Sequence, residues 1–227
     1  MAEVKRELRV DSFFRYIVND CERKEYMEEL LLNDLPAVID RCLEYWHTGP
    51  GDYRPSCLQF NLIALELAYR NFLLWHEEDK ARRTDVDDGS IAMVKRTIDR
   101  YNQERNDSIE KLDEQILAWI EKRIPTTVIA ATNSETPGSI VDRISILSLK
   151  IYHMAEDAER TDITEEHRKR SQMKLELLKV QRHDLYGALS TLFDDYLAGR
   201  KMMKLYRQFK MYNDPTLNPE LYRRRNV

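Results

Sequence analysis

Residues 90–122 read SIAMVKRTIDRYNQERNDSIEKLDEQILAWIEK. The apolar positions Ile91, Val94, Ile98 and Tyr101, then Leu112, Ile116 and Trp119, recur at three- and four-residue spacing, the period of one helix face. Ahead of the stretch stands the turn Thr84-Asp85-Val86-Asp87-Asp88-Gly89, whose aspartates suit a helix N-cap, and Pro125 stops the pattern. A helix from about Ser90 to Lys122 follows. A long helix with one apolar face needs neighbours to cover that face.

Upstream, Pro55 and Ser56 open a helix to about Arg82, with Gln59 placed for a capping box from Ser56. Before it, two shorter helices are expected, over roughly Asp11 to Asp20 and from Asp34-Leu35-Pro36 to just before Gly49-Pro50-Gly51. Downstream, the segment from Ile124 to Pro137, with β-branched Thr126-Thr127-Val128-Ile129, reads as a crossover connection, a short strand being the alternative. Ser139 is the expected cap of a helix to Ala158, and Asp162 with Glu165 the start of another to Ala198, stopped by Gly199. A last helix is expected from Lys201 to Tyr212. The fold expectation is all-α: a four-helix-bundle core over 55–199, with additional N-terminal helices in 1–52 and a basic C-terminal helix and tail in 200–227, all one domain.

Composition agrees. Six glycines and seven prolines in 227 residues are too few for a turn-rich β protein, and 42% hydrophobic residues are enough for a core. A net charge of −4 argues against a general nucleic-acid binder. Cys21, Cys42 and Cys57 are odd in number and lack Cys-x-x-Cys spacing, which suits a reducing compartment. Neither a signal-peptide pattern at Met1–Glu7 nor an uncharged run of about 20 residues is seen, so a cytoplasmic protein without a transmembrane segment is expected.

The long helix also carries a chemical anomaly. Between Ile98 and Ser108, five of eleven residues are Asn, Asp or Ser, whose side chains compete for backbone hydrogen bonds in a helix interior. Lys95, Asp99, Asn102, Asn106 and Asp113 form a stripe about one residue away from the apolar seam. On the preceding helix, Asn71, Trp75, Glu78 and Arg82 stand at spacings 4, 3 and 4. Joined by a tight turn, the two helices are expected to face these stripes across a polar groove. Asn71, Trp75, Arg82, Asn102 and Asn106 are the ligand-binding candidates there, and Glu78 and Asp99 the candidate bases. A hydrogen-bonded network that only sets helix register is the other reading.

A second candidate is the helix start at Gly138 and Ser139, whose backbone N–H groups favour an anion, with Arg143 in the first turn. The bland alternative is an N-cap at Ser139 closed by Asp142. Metal signals are weak: His47, His76, His153, His167 and His183 form no His-x-x-x-His or Glu-x-x-His pair, so no metal site is assigned and the cofactor is unknown. Glu25/Glu28 with Glu104/Asp107 or Glu110/Asp113 formally matches a magnesium pyrophosphohydrolase, a pattern that charge-rich chains produce easily. From Arg200 onward, eight bases face two acids, net +6, leaving −10 for the rest. That segment suits docking on the acidic bundle or a second copy in a homodimer, with phosphate or an anionic membrane surface as the sharper alternative.

Four stretches together, NFLLWHEEDKAR (71–82), KRTIDRYNQERNDSIEKLD (95–113), NSETPGSIVDRISILSLKIYH (133–153) and KMYNDPTLNPELY (210–222), resemble the bacterial family known as domain of unknown function 4254, over roughly residues 30–222. The resemblance implies an all-helical fold and carries no established activity. It also implies a setting among glycosyltransferase and surface-polysaccharide genes. The expected function is therefore recognition of a phosphorylated sugar or nucleotide sugar in glycan biosynthesis. A glycosyltransferase-binding protein without a ligand site is the first alternative, and the magnesium-dependent enzyme the second.

Overall fold

A computed structural model describes residues 35–49, 59–124, 130–209, 211 and 214–222. The helix expected at Asp11–Asp20, Ser56 of the capping box, Glu25/Glu28, Cys21, Cys57 and the run Thr126–Ile129 lie outside the described residues. Among those described, six helices and two very short strands occur in the order α1 (Leu35–Thr48), α2 (Gln59–Lys80), α3 (Asp88–Glu121), β1 (Ala131–Thr132), α4 (Pro137–Glu159), α5 (Glu165–Leu197), β2 (Lys201–Met202) and α6 (Pro219–Tyr222). The protein is all-α, and none of these helices is long and apolar enough to cross a membrane.

The long helix forms as its pattern requires. Asp87 is extended at its N-cap and its carboxylate accepts the Ser90 amide at 3.0 Å and the Ser90 hydroxyl at 2.7 Å. The turn before it folds α2 back antiparallel to α3, tied by Arg70 to Glu104 at 2.9 Å. A second hairpin joins α4 and α5, where Asp157 accepts the Ser171 hydroxyl at 2.6 Å and His167 Nε2 at 2.8 Å. Those bonds, Ser171's first, hold the Asp157 carboxyl down at about 2.

The two hairpins meet through α4, which packs on α1, α2, α3 and α5. Ser145 and Ser148, both fully buried, let its neighbours approach closely, as a strip of small residues should. Phe72, Leu65, Leu112, Ile116, Ile144, Leu149 and Leu189 fill the core between them. Contact of α5 with the rest is slighter and includes Phe193 edge-on to Trp119 at 6.0 Å. The four long helices are thus two hairpins joined through α4 rather than four equal sides of a bundle.

Local chemistry departs from expectation at three places. Thr136, not Ser139, caps α4, accepting the Ser139 amide, with Pro137 as the first helical residue. Proline's fixed φ favours that position and moves the cap back to the residue before it. Thr164 rather than Asp162 caps α5, because Asp162 is held by Arg160 at 2.7 Å. The third concerns Lys201–Tyr212, expected as a helix. Gly199 ends α5 at a φ of +69°, and Lys201–Met202 then pairs in parallel with Ala131–Thr132. Met203 is buried and Leu205 packs on the core while Lys204 and Tyr206 are exposed, the two-residue alternation of extended chain. Lys201, Lys204 and Arg207 recur every three residues, as on a helix face, but Lys201 and Arg207 find their acids on α5 and α3. Arg207 meets Glu110 at 2.9 Å and Glu114 at 2.5 Å, and Lys201 meets Asp195 at 3.0 Å.

Candidate functional site

The expected groove between α2 and α3 divides in two. At its upper end Glu78 pairs with Arg82 at 2.9 Å and lies 3.6 Å from Lys95, but Arg82 is 70% exposed and Asp99 is exposed too. The lower end turns inward: Asn102 is half-buried and Asn106 buried where α4 covers α3. There Asn71 and Trp75 of α2 meet α4 instead of α3. Trp75 lies on His153, and Asn71 donates to Asp142 Oδ1 at 2.8 Å and to Ser145 Oγ at 2.7 Å.

That lower end is a hydrogen-bonded network. Asn71 and Asp142 are both buried, and Arg105 Nε stands 3.7 Å from Asp142. Burial pushes the Asp142 carboxyl up, with Arg105 and Asn71 opposing. Nearby, Asp113 accepts the Gly138 amide at 2.7 Å and is pushed up to about 6, chiefly by burial. The Asn71–Asp142–Ser145 bonds suit the register reading, with Arg105 Nε buried beside them and not hydrogen-bonded.

Hydrogen bonding also occupies the helix start. The Gly138 amide serves Asp113 and the Ser139 amide serves Thr136, so neither is open to an anion. Asp142, expected to close a box onto Ser139, is committed to Asn71 instead. Arg143 is half-exposed and gripped by both carboxylate oxygens of Glu135, at 2.6 and 2.8 Å. It does border an open groove of about 440 Å³ between α4 and α5, shared with Ile146, Leu147, Lys150, Gln181, Asp184 and Leu185.

Among the described residues, three carboxylates of the pyrophosphohydrolase pattern are engaged within the chain. Glu104 pairs with Arg70, Glu110 with Arg207, and Asp107 accepts from Gln103. Among the described residues, the group of convergent ligand atoms is of another kind. His47 of α1, His76 of α2 and His153 of α4 each place a ring nitrogen within 4.8 Å of the other two. All three are half-buried. Tyr152 stacks on His47 with centroids 4.0 Å apart, Trp75 stacks on His153 at 4.9 Å, and Phe72 meets His76 edge-on at 4.6 Å.

Spacing rules miss this trio because its members come from three helices, far apart in the chain. A signal was nonetheless present: Trp46-His47, Trp75-His76 and Tyr152-His153 each set a histidine directly after an aromatic residue. His167, bound to Asp157, and the exposed His183 lack it.

Against known proteins, a family model described as "Protein of unknown function (DUF4254)" matches residues 62–205, more than half of the chain. The match leaves out the stretch 210–222 that also carried the resemblance. No curated protein and no solved structure matches the chain.

Proposed function

This chain belongs to the DUF4254 family, and for such a member we propose recognition of a small phosphorylated sugar or nucleotide sugar in the groove between α4 and α5. The observation that carries the reading is the lining of that groove. Arg143 and Lys150, seven residues apart on one face of α4, supply two cations for a phosphate or diphosphate. Gln181 and Asp184 of α5 supply an amide and a carboxylate suited to sugar hydroxyls, and Ile146, Leu147 and Leu185 give apolar contact. The volume lies in the range of small-molecule sites. Binding would exchange the Arg143–Glu135 pair for an Arg143–phosphate pair, with Lys150 adding the second charge.

A cytoplasmic role in surface-polysaccharide biosynthesis fits this ligand class and is part of the same proposal. Glu78 and Asp99 belong to the other hairpin, so the reading is of a binding protein and assigns them no part in it. The glycosyltransferase-docking alternative draws less support, since Arg200, Lys201 and Arg207 are engaged by acids of their own chain.

The test is calorimetric titration of the full chain with glucose 1-phosphate, a uridine diphosphate sugar and free phosphate. One-to-one binding of a sugar phosphate that drops at least tenfold in the Arg143→Ala/Lys150→Ala variant, with free phosphate binding more weakly, is the expected result. Absence of binding by every probe, or binding that the double variant leaves unchanged, overturns it.

A further inference from the structure

We propose that His47, His76 and His153 form a binding site for one divalent transition metal of the zinc class, separate from the α4/α5 groove. Three helices, α1, α2 and α4, each contribute one imidazole, with ring nitrogens within 4.8 Å of one another. In a tetrahedral zinc set with bonds of about 2.0–2.1 Å, ligand nitrogens stand roughly 3.3 Å apart. Small side-chain rotations around the ion close that difference.

The hydrogen bonds at the outer edge of two rings decide where their lone pairs are. His47 Nδ1 lies 2.8 Å from the Leu43 carbonyl oxygen, which can only accept, so Nδ1 carries the proton and the neutral ring holds its lone pair on Nε2. His153 Nδ1 lies 2.9 Å from the Glu156 carboxylate, and the same logic gives the same tautomer. His153 Nε2 is buried without a hydrogen-bond partner. A carbonyl or carboxylate behind the imidazole, with the opposite nitrogen directed at the ion, is the usual outer support of a metal-binding histidine.

The surroundings select the kind of ion. The donors are neutral nitrogens, which suit zinc, copper, nickel or iron rather than magnesium or calcium. Tyr152, Trp75 and Phe72 pack against the rings, restrict them to small rotations and make the shell around them largely aromatic. Three protein ligands are the pattern of zinc sites that keep a fourth position for water or a substrate atom. Because His47 ends α1 while His76 and His153 lie on its two neighbours, the ion also ties α1 to α2 and α4.

The experiment is a zinc titration of the chelator-treated, dialysed full chain against a chromophoric competitor, paired with melting curves. One equivalent of zinc is expected to bind and to raise the melting midpoint, while magnesium does neither. His76→Gln and His153→Gln, checked for folding by circular dichroism without metal, are each expected to lose the one-to-one binding. Glu156→Gln retains it with affinity lowered 10- to 100-fold, and His183→Gln is unaffected. Failure of the folded native chain to bind one equivalent, retention of binding in either folded histidine variant, or an equal response to magnesium overturns the proposal. None of these outcomes depends on the sugar-phosphate titration, so the two readings fail separately.

Discussion

The imidazole of His47 lies flat on the phenol ring of Tyr152, centroids 4.0 Å apart and planes inclined by only 13°. The stack joins the last turn of α1 to the middle of α4, and the Leu43 carbonyl holds the other edge of the same imidazole. With its plane and one nitrogen both constrained, the ring has little freedom left. Order of this kind matters for metal binding, since a ligand already in place loses less entropy on coordination.

Tyr152→Ala is therefore expected to weaken zinc binding without removing a ligand. Aromatic pairs contribute about 0.5–1.5 kcal/mol beyond area burial, so the loss should be roughly threefold to tenfold in the competitor titration. Unchanged affinity would show that the stack does not orient His47.

The buried and exposed ends of the α2 polar stripe should separate cleanly in stability measurements. Asn71→Ala leaves Asp142 Oδ1 and Ser145 Oγ without their shared donor inside the protein. Its expected loss in urea unfolding is about 2–3 kcal/mol. Arg82→Ala, at the solvent-facing pair, should lose roughly 0.5 kcal/mol or less. Equal losses at the two positions would contradict the inward turn of the lower end.

Two glycines inside helices should respond in opposite directions to alanine. A Cβ at Gly138 would stand 2.8 Å from the Ile109 carbonyl and from Asp113 Oδ1, so Gly138→Ala forces α4 away from α3. A loss of about 2 kcal/mol is expected from such overpacking. A Cβ at Gly187 meets nothing within 4 Å, and Gly187→Ala should gain roughly 0.5–1 kcal/mol through helix propensity. Thermal melts of the two variants beside the native chain decide it.

Asp113 makes stability depend on pH. Its carboxyl is at about 6 in the folded chain, raised chiefly by burial, against 3.8 as the reference for the unfolded one. The folded state therefore binds the proton more tightly. The stabilisation from that proton is complete below about pH 4 and lost as the pH rises through 6, a swing of about 3 kcal/mol. Asp113→Asn keeps an oxygen to accept the Gly138 amide and removes the titration. The melting-point difference between variant and native chain should move in the variant's favour between pH 4 and 7, and a flat difference refutes the assignment.

Helix existence was legible because its causes are local. The three- and four-residue recurrence from Ile91 to Trp119, the Asp87 cap and the Gly199 stop each act within a turn or two of chain, and all three appear in the structure. The caps at Thr136 and Thr164 were misplaced by a few residues because several neighbouring side chains could serve. The basic segment after Gly199 looked helical because a three-residue recurrence of charge is also met by extended chain whose cations reach partners elsewhere.

What only the tertiary structure decided is which faces meet. Asp99 and Asn106 sit on one stripe in sequence, yet one is exposed and the other buried, because the covering element, α4, arrives partway along α3. The convergence of His47, His76 and His153 depends on the rotation and register of three helices relative to one another, and a single residue of error turns a side chain by 100°. By itself the sequence determined an all-α fold and, among the described residues, most helix boundaries, since those follow from interactions a few residues long. Packing determined the sites, since they are assembled from side chains that only the docking of distant helices brings together.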